Sequence, residues 1–457
     1  MDRFINLYIF TFNCARLLID TDFVAEHFFH ALPQSARDGD NEQSIYDAPE
    51  IIVLSLQEIA PLAYAFLGGS FLSAYFDAFR RALDLAVSKQ WGSEVEYVEF
   101  TRENSGMTAM MVFVRSDAAD QISWTEMAQV GVGFLEMGNK GAVGTRLGYT
   151  VEGGQNETVD LTFVAAHLAP MEEEYERRNE DWKSIVERLV FANKKEMRRR
   201  NRASGGDREE NIALLSNDNS SDESASHSGI FAPRSHLFFA GDLNYRTSDT
   251  MPLKDDHRRF PQPTADVDSP RHFSHLLKND QLTRELQKRK TLHGLSEEPV
   301  TFPPTYKYSA LACLEARLGN QQEWKWSKHR WPSWCDRILY LDLPSWMKER
   351  GRVQPHVYNS LPLFPTSDHR AVALSVSVPL EPIPGPSDIS QSDDVRLLPP
   401  FQLDPNWESR RAAARNKELI VGFFAYLSTT WEGLGLLLAT GIGAVGGWLV
   451  LSSILEG

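Results

Sequence analysis

Cysteine is scarce in this chain. The 457 residues include three, Cys14, Cys313 and Cys335, with no Cys-x-x-Cys pair among them. That argues against a disulfide framework and points to a reducing compartment. No Cys-x5-Arg loop occurs, which disfavours chemistry through a covalent cysteine phosphate, and no Cys/His cluster has zinc-site spacing. Positive charge is short as well: 47 Lys and Arg stand against 62 Asp and Glu, a net charge of −15, whereas nucleic-acid surfaces are usually basic. An anionic substrate stays compatible with this charge, because a metal and a few lysines can dominate locally. The opening Met1-Asp2-Arg3 lacks signal-peptide architecture, and no internal repeat is visible.

What the chain does have is a series of apolar runs that stop abruptly on polar residues. Residues 4–12, 51–56 and 161–167 read as buried strands ending near Asn13, Glu58 and His167. Further strands are expected near 95–100, 108–115, 127–132, 142–148, 236–240 and 371–376. Helical spacing covers 21–31 and 62–88, and residues 172–200 read as one long charged helix with the stripe Trp182, Ile185, Leu189 and Phe191. Between 201 and 230 Ser, Asn, Asp and Gly dominate, so a disordered insertion is expected there. Residues 381–417, rich in Pro, Ser and Asp at first, read as a linker between a catalytic domain (1–380) and a C-terminal anchor (418–457).

The anchor reading rests on Leu434–Leu455, 22 residues without a charge. As a helix they would extend about 33 Å, enough to cross a bilayer. Arg410, Arg411, Arg415 and Lys417 precede the run, which would keep the globular part in the cytosol. Such a chain is expected to be tail-anchored. Few residues follow the run, which fits the endoplasmic reticulum better than the thicker plasma membrane. Gly443 and Gly447 have GxxxG spacing, a weak pairing signal that leaves the oligomeric state open.

The stretch Phe238-Phe-Ala-Gly-Asp-Leu-Asn-Tyr-Arg246 is the centre of the pattern. An apolar strand delivers Asp242 and Asn244 at its end, two residues apart and so on one side. Alone, this reads more readily as a strand followed by an Asp-capped turn. Asn13, Glu58, His167, Asp336 in Trp334-Cys-Asp-Arg337, and Asp368 with His369 supply further polar groups in order. Hard oxygen donors such as Glu58 and Asn13 suit Mg²⁺.

These residues carry a family resemblance. Phe239-Ala-Gly-Asp-Leu-Asn-Tyr-Arg246 and Pro332-Ser-Trp-Cys-Asp-Arg337 resemble the two signature motifs of the inositol polyphosphate 5-phosphatases, within the endonuclease/exonuclease/phosphatase superfamily. Thr11-Phe-Asn13, Leu56-Gln-Glu58, Gly138-Asn-Lys-Gly141, His167-Leu168, Pro304-Thr-Tyr-Lys307 and Ser367-Asp-His369 support it over roughly residues 3–378; Ala142 departs where a second glycine is usual.

The resemblance implies an α/β fold, a four-layer α/β/β/α sandwich of two mixed sheets, here with a C-terminal transmembrane helix. It implies that Asp242 activates water with Asn244 placing it, and that Glu58 and Asn13 hold Mg²⁺. His369 would contact the phosphoryl group, kept cationic by Asp336, while His167 stabilises developing charge and Asp368 supports the network. Tyr306, Lys307, Lys328 and Arg330 would hold a 4-phosphate, and Asn139 and Lys140 a 1-phosphate; Arg246 and Arg337 would brace the site. Beside Lys140, Val132–Met137 either dips into lipid or forms a buried hairpin tip. The expected activity is Mg²⁺-dependent removal of the 5-phosphate from phosphatidylinositol 4,5-bisphosphate, as in the tail-anchored fungal-type enzymes. Soluble inositol polyphosphates or a 3,4,5-trisphosphate lipid are alternative substrates, and an inactive phosphoinositide binder is the alternative of another class. No nucleic-acid partner is expected.

Overall fold

Strand β1 (Phe4–Asn13) shows the logic of the architecture in one segment. Ile5, Leu7 and Ile9 are buried with Phe163, Ala165, Phe238 and Ala240, whereas Tyr8, Phe10 and Phe12 are buried with Phe28, Phe76 and Phe79. A strand with both alternating faces buried belongs to an inner layer. The computed structural model describes residues 4–33, 48–151, 157–193, 229–264, 266–319, 322–347, 352–385 and 393–455.

Two sheets form the inner layers. The first contains β1, β2 (Ile51–Gln57), β3 (Tyr97–Ser105), β4 (Thr108–Arg115), β12 (Gln354–Ser360) and β13 (Val372–Pro379), in the order β12-β13-β1-β2-β4-β3. The second contains β5 (Ile122–Gly131), β6 (Gly141–Thr150), β7 (Thr158–His167), β8 (Ala192–Asn193), β9 (Ser235–Asp242), β10 (Leu295–Ser296) and β11 (Asp336–Leu341), in the order β10-β11-β9-β7-β6-β5-β8. Both are mixed, each with one parallel pair near its middle: β1 with β2, and β7 with β9. Helices α1 (Thr21–His27), α2 (Leu62–Leu67) and α3 (Ser73–Trp91) lie on the first sheet's side. Helices α4 (Tyr175–Arg188) and α5 (Gln281–Gln287) cover the second, with Trp182 and Ile185 packed against Val164, Ala166 and Phe239. The fold is the expected four-layer α/β/β/α sandwich.

The elements depart from expectation in places. The region 62–88 is interrupted at Gly68 and Gly69, both at positive φ, where a glycine can turn the chain without strain. The expected helix over 172–200 stops at Arg188. Leu189, Val190 and Phe191 are all buried, and three consecutive buried residues do not fit one helical stripe. The chain instead becomes extended and β8 pairs along β5. Most of the expected insertion, up to residue 228, lies outside the described residues.

The stretch expected as linker also behaves differently. Arg396 is buried, donating to Asp342 O at 2.5 Å and pairing with Asp394 at 3.1 Å. Phe401 packs edge-on against His293. A helix, Trp407–Thr429, then begins inside this stretch and runs across the expected anchor boundary. It is followed by the helix Trp431–Leu455, whose segment Trp431–Ser453 is long and apolar enough to cross a membrane and is not buried by the protein.

Candidate active site

Parallel neighbours finish at the same edge, so the two central pairs deliver their terminal residues together. Asn13 ends β1, Glu58 follows β2, and His167 and Asp242 end β7 and β9. Registry places His167 beside Asp242, and Asp242 beside Asp336 at the start of antiparallel β11. Strand β13 starts from this edge too, with Asp368 and His369 just before it. All of these but Asp336 line a cavity of about 940 Å³.

Asp242 is buried and held on three sides. Its Oδ2 accepts from Asn13 Nδ2 at 2.8 Å and lies 3.2 Å from His167 Nε2; its Oδ1 accepts from Asn244 N at 3.1 Å. A carboxylate has about four lone-pair directions, so one is left for a water in the cavity. Burial alone would raise its pKa, but the His167 hydrogen bond and the charges of His369 and Lys140 outweigh it and hold the carboxyl well below its usual range. Asn244, at φ 57°, donates to Leu168 O at 3.1 Å and accepts from Arg246 at 2.6 Å. Its side chain therefore fixes the turn after β9.

His167 and His369 have opposite electrostatics. Burial, then the charge of Lys140, pushes His167 down toward the neutral imidazole. Burial also opposes charge on His369, yet Asp336 overrides it and His369 is pushed up to about 9. The pair is joined by His369 Nδ1 and Asp336 Oδ2 at 2.9 Å, and Thr305 Oγ1 donates to the same oxygen at 2.7 Å. His369 thus presents a cationic ring to the cavity at neutral pH. Asp242, Asp336 and His369 are close enough together to hold a metal ion.

Glu58, at φ 46°, opens on the same cavity, with Arg16 Nε at 3.1 Å and Lys140 Nζ at 3.7 Å. Hard oxygen chemistry and partial exposure fit a divalent cation of the Mg²⁺ type at Glu58. Asn13 fits the part less directly. Its amide donates to Asp242 while its oxygen accepts from Ala15 N at 3.0 Å, so in this orientation it positions Asp242.

Comparison with known proteins identifies the family and the fold. The model of endonuclease/exonuclease/phosphatase family 2 matches residues 10–375. The chain belongs to this family. Among curated relatives of the family domain, it is 29% identical over 278 residues to inositol-1,4,5-trisphosphate 5-phosphatase 1 of Schizosaccharomyces pombe, covering 60% of this chain and 19% of that protein. It is 28% identical over 335 residues to polyphosphatidylinositol phosphatase INP53 of Saccharomyces cerevisiae, covering 71% and 23% respectively. The chain therefore spans a quarter or less of the length of these two relatives. Among solved structures, the inositol polyphosphate 5-phosphatase domain of SPsynaptojanin, determined with inositol (1,4)-bisphosphate and calcium, superposes with a TM-score of 0.56 at 22% identity. That likeness covers 91% of each chain and extends the family fold across the sandwich.

Outside the centre of this family site, the expected substrate-binding residues divide. Lys307 Nζ lies 2.5 Å from Asp368 Oδ2 at the cavity wall, joining the two expected roles in one ion pair. The Tyr306 ring is 4.5 Å from that of His369 and lies under Arg246, also at 4.5 Å. Lys328 is exposed and lines the mouth. Arg330 does not line it: its guanidinium turns toward buried Glu172, 3.6 Å away, and the sulfurs of Met171 and Met251. Asn139 packs its buried Oδ1 inside the β5–β6 hairpin against Gly133. Lys140 enters the centre, touching the His167 ring, rather than standing at the rim. Arg337 is a brace, paired with Asp280 at 3.0 Å and Glu297 at 2.6 Å. The hairpin tip exposes Phe134 and Leu135, while Val132 and Met137 are buried.

Three contributors had no role in the sequence reading. Ser367 donates to Asn13 O at 2.6 Å and accepts from His369 N at 3.1 Å, tying the loop before β13 to the end of β1. Its place in Ser367-Asp-His369 was the available signal. Thr305, in Pro304-Thr-Tyr-Lys307, is the same kind of case. Arg16, opposite Glu58, sits outside every motif and left no signal.

Proposed function

We propose that this protein hydrolyses the 5-phosphate of phosphatidylinositol 4,5-bisphosphate in a Mg²⁺-dependent reaction at the cytosolic face of a membrane, giving phosphatidylinositol 4-phosphate. The observation that carries this reading is the buried Asp242 beside the Asp336–His369 ion pair, with Asp242 and His369 both lining one cavity. A water held by Asp242 is positioned for in-line attack on phosphorus, and the cationic His369 stabilises charge on the phosphoryl oxygens. His167 and Asn13 keep Asp242 in place, and neutral His167 can donate a hydrogen bond without repelling the cation beside it. Glu58 would hold the Mg²⁺, which when bound supplies neutralisation of phosphate charge. Lys307 and Lys328 at the mouth supply cations for a second phosphate, as the inositol ring requires. The relatives whose names give an inositol trisphosphate and polyphosphatidylinositol as substrates support the substrate class.

Phe134 and Leu135 at the tip of the β5–β6 hairpin, and the apolar span Trp431–Ser453, favour a lipid over a soluble inositol phosphate. The test is phosphate release by the full chain in phosphatidylcholine vesicles with Mg²⁺, using phosphatidylinositol 4,5-bisphosphate, the 3,4,5-trisphosphate lipid and soluble inositol 1,4,5-trisphosphate in parallel. Release mainly from the 4,5-bisphosphate lipid, lost in Asp242→Ala, is expected. Preference for the soluble compound or the trisphosphate would reassign the substrate. Retained lipid binding without release from any of the three would make the protein a binder instead.

A further inference from the structure

Helix α6 (Ala310–Arg317) ends the catalytic helices by the cavity, and two long helices complete the chain: α7 (Trp407–Thr429) and α8 (Trp431–Leu455). One side of α7 is fastened to the catalytic body along its length. The buried Glu418 carboxylate accepts from Gly138 N at 2.7 Å, two residues before Lys140. Arg415 donates to Phe66 O at 2.6 Å and Leu67 O at 3.0 Å, the carbonyls at the end of α2, and pairs with Glu418 at 3.1 Å. Arg411 donates to Gln129 at 2.7 Å, Arg410 pairs with Glu136, and Lys417 reaches Leu135 O at 3.3 Å. A Cβ on Gly422 would come within 2.9 Å of Phe66 Cβ and 3.2 Å of Leu67 N, so the two helices meet at backbone distance. The basic residues that precede the apolar run thus face the body.

The opposite side of α7 changes character toward its end. Ala412, Ala413 and Asn416 are more polar or small; then come Leu419, Ile420, Phe423 and Phe424, 40–64% exposed. Their i, i+1, i+4, i+5 spacing puts these four apolar side chains on one side of successive turns. Leaving such groups in water forgoes the gain from burying their apolar surface. Helix α8 starts with no loop between. Thr430 caps it, its hydroxyl accepting from Gly433 N at 3.0 Å, and Gly433 sits so close to Tyr426 O and the Leu427 backbone that a Cβ has no room.

We propose that the bilayer holding α8 also receives the Leu419–Phe424 face, making α7 a strut that presents the catalytic mouth to that same bilayer. The protein then acts in cis, on lipids of its own membrane, and not across a gap to an apposed one. Continuity with the candidate span selects lipid as the occupant: the apolar residues lie only where the chain approaches α8. The cis step rests on the lipid phosphatase reading above; the seating of α7 on the bilayer does not.

The experiment uses the full chain reconstituted into phosphatidylcholine vesicles. Phosphatidylinositol 4,5-bisphosphate is placed in the same vesicles or in separate ones, with soluble inositol 1,4,5-trisphosphate as the control for chemistry. Hydrolysis in cis should exceed that in trans by about tenfold or more, from local concentration. Inserting a long Gly-Ser segment between Thr430 and Trp431 should shrink that ratio severalfold, with the soluble rate unchanged. Equal cis and trans rates in the natural chain, or a ratio untouched by the insertion, would overturn the proposal. A fluorophore on Phe424→Cys, read against brominated lipid, tests the seating without any activity. Quenching is expected; its absence, or crosslinking of that position to a second copy or another protein, overturns the strut even where hydrolysis is normal. Quenching with no hydrolysis of any substrate would refute the enzymatic reading and with it cis action, leaving the seating intact.

Discussion

Replacing Asp336 by Asn removes the charge that keeps His369 protonated. The rise of His369 from 6.5 to about 9 corresponds to roughly 3 kcal/mol in favour of the imidazolium. A neutral amide facing Nδ1 in place of the carboxylate withdraws the largest support, leaving burial opposed only by the charges of Asp242 and Asp368. With the ring back at its ordinary 6.5, the protonated fraction at pH 7.5 would fall from about 97% to about 9%, about a tenfold loss from protonation alone. The basic limb of the kcat/KM profile should move from near pH 9 toward about 6.5, with partial recovery of rate on acidification. Linkage gives the same sign for stability. Because the folded-state value lies above the unfolded one, the His369 contribution is full below about 6.5 and is lost as pH rises through about 9. The assay is kcat/KM across pH 5–10 for both proteins, with folding followed by circular dichroism. A basic limb left near pH 9 in the Asp336→Asn protein would refute the reasoning.

Asp242→Ala should lower kcat by about 10²–10⁴-fold while the far-ultraviolet spectrum is preserved; residual Mg²⁺-dependent turnover near the natural rate would remove Asp242 from the reaction. Lys307→Ala should raise KM about tenfold for substrates with a 4-phosphate and much less for those without one, measured by paired kinetics. Chelation by EDTA should abolish activity, and Glu58→Gln should shift the Mg²⁺ titration to higher concentration, which an unchanged titration would contradict. Trp182→Ala should cost about 3–5 kcal/mol in denaturant unfolding, since its ring is fully buried between α4 and β9.

The sandwich was legible through the family resemblance that the motifs carry; apolar strands ending on polar residues are compatible with it but do not by themselves single it out. The motifs around Asp242 and Asp336 also stand out locally, and β9 and β11 then bring them into register. What was not legible depends on partners far away in sequence. Glu418 meets Gly138 across 280 positions, so local composition reads its surroundings as an approach to the membrane rather than a docked helix. The break at Leu189 follows from a strand pairing with β5, which helical periodicity does not report. Arg330 was expected in a phosphate cluster because, with Lys328, it stands just before Pro332-Ser-Trp-Cys-Asp-Arg337; the buried carboxylate of Glu172 turns it away from the mouth that Lys328 lines. Asn139 and Lys140 are adjacent in sequence yet serve different surroundings, one inside the hairpin and one in the cavity.

The groups proposed to react straddle the seam between the two sheets. Asn13 of one sheet donates to Asp242 of the other, Ser55 Oγ reaches Ala240 O at 3.0 Å, and His369 meets Asp336 across the same line. Neither half of the sandwich owns a complete set. Catalysis is therefore a gauge of the whole domain: in a denaturant titration, activity and global tertiary signal should vanish together, with no active species surviving after one sheet has loosened from the other.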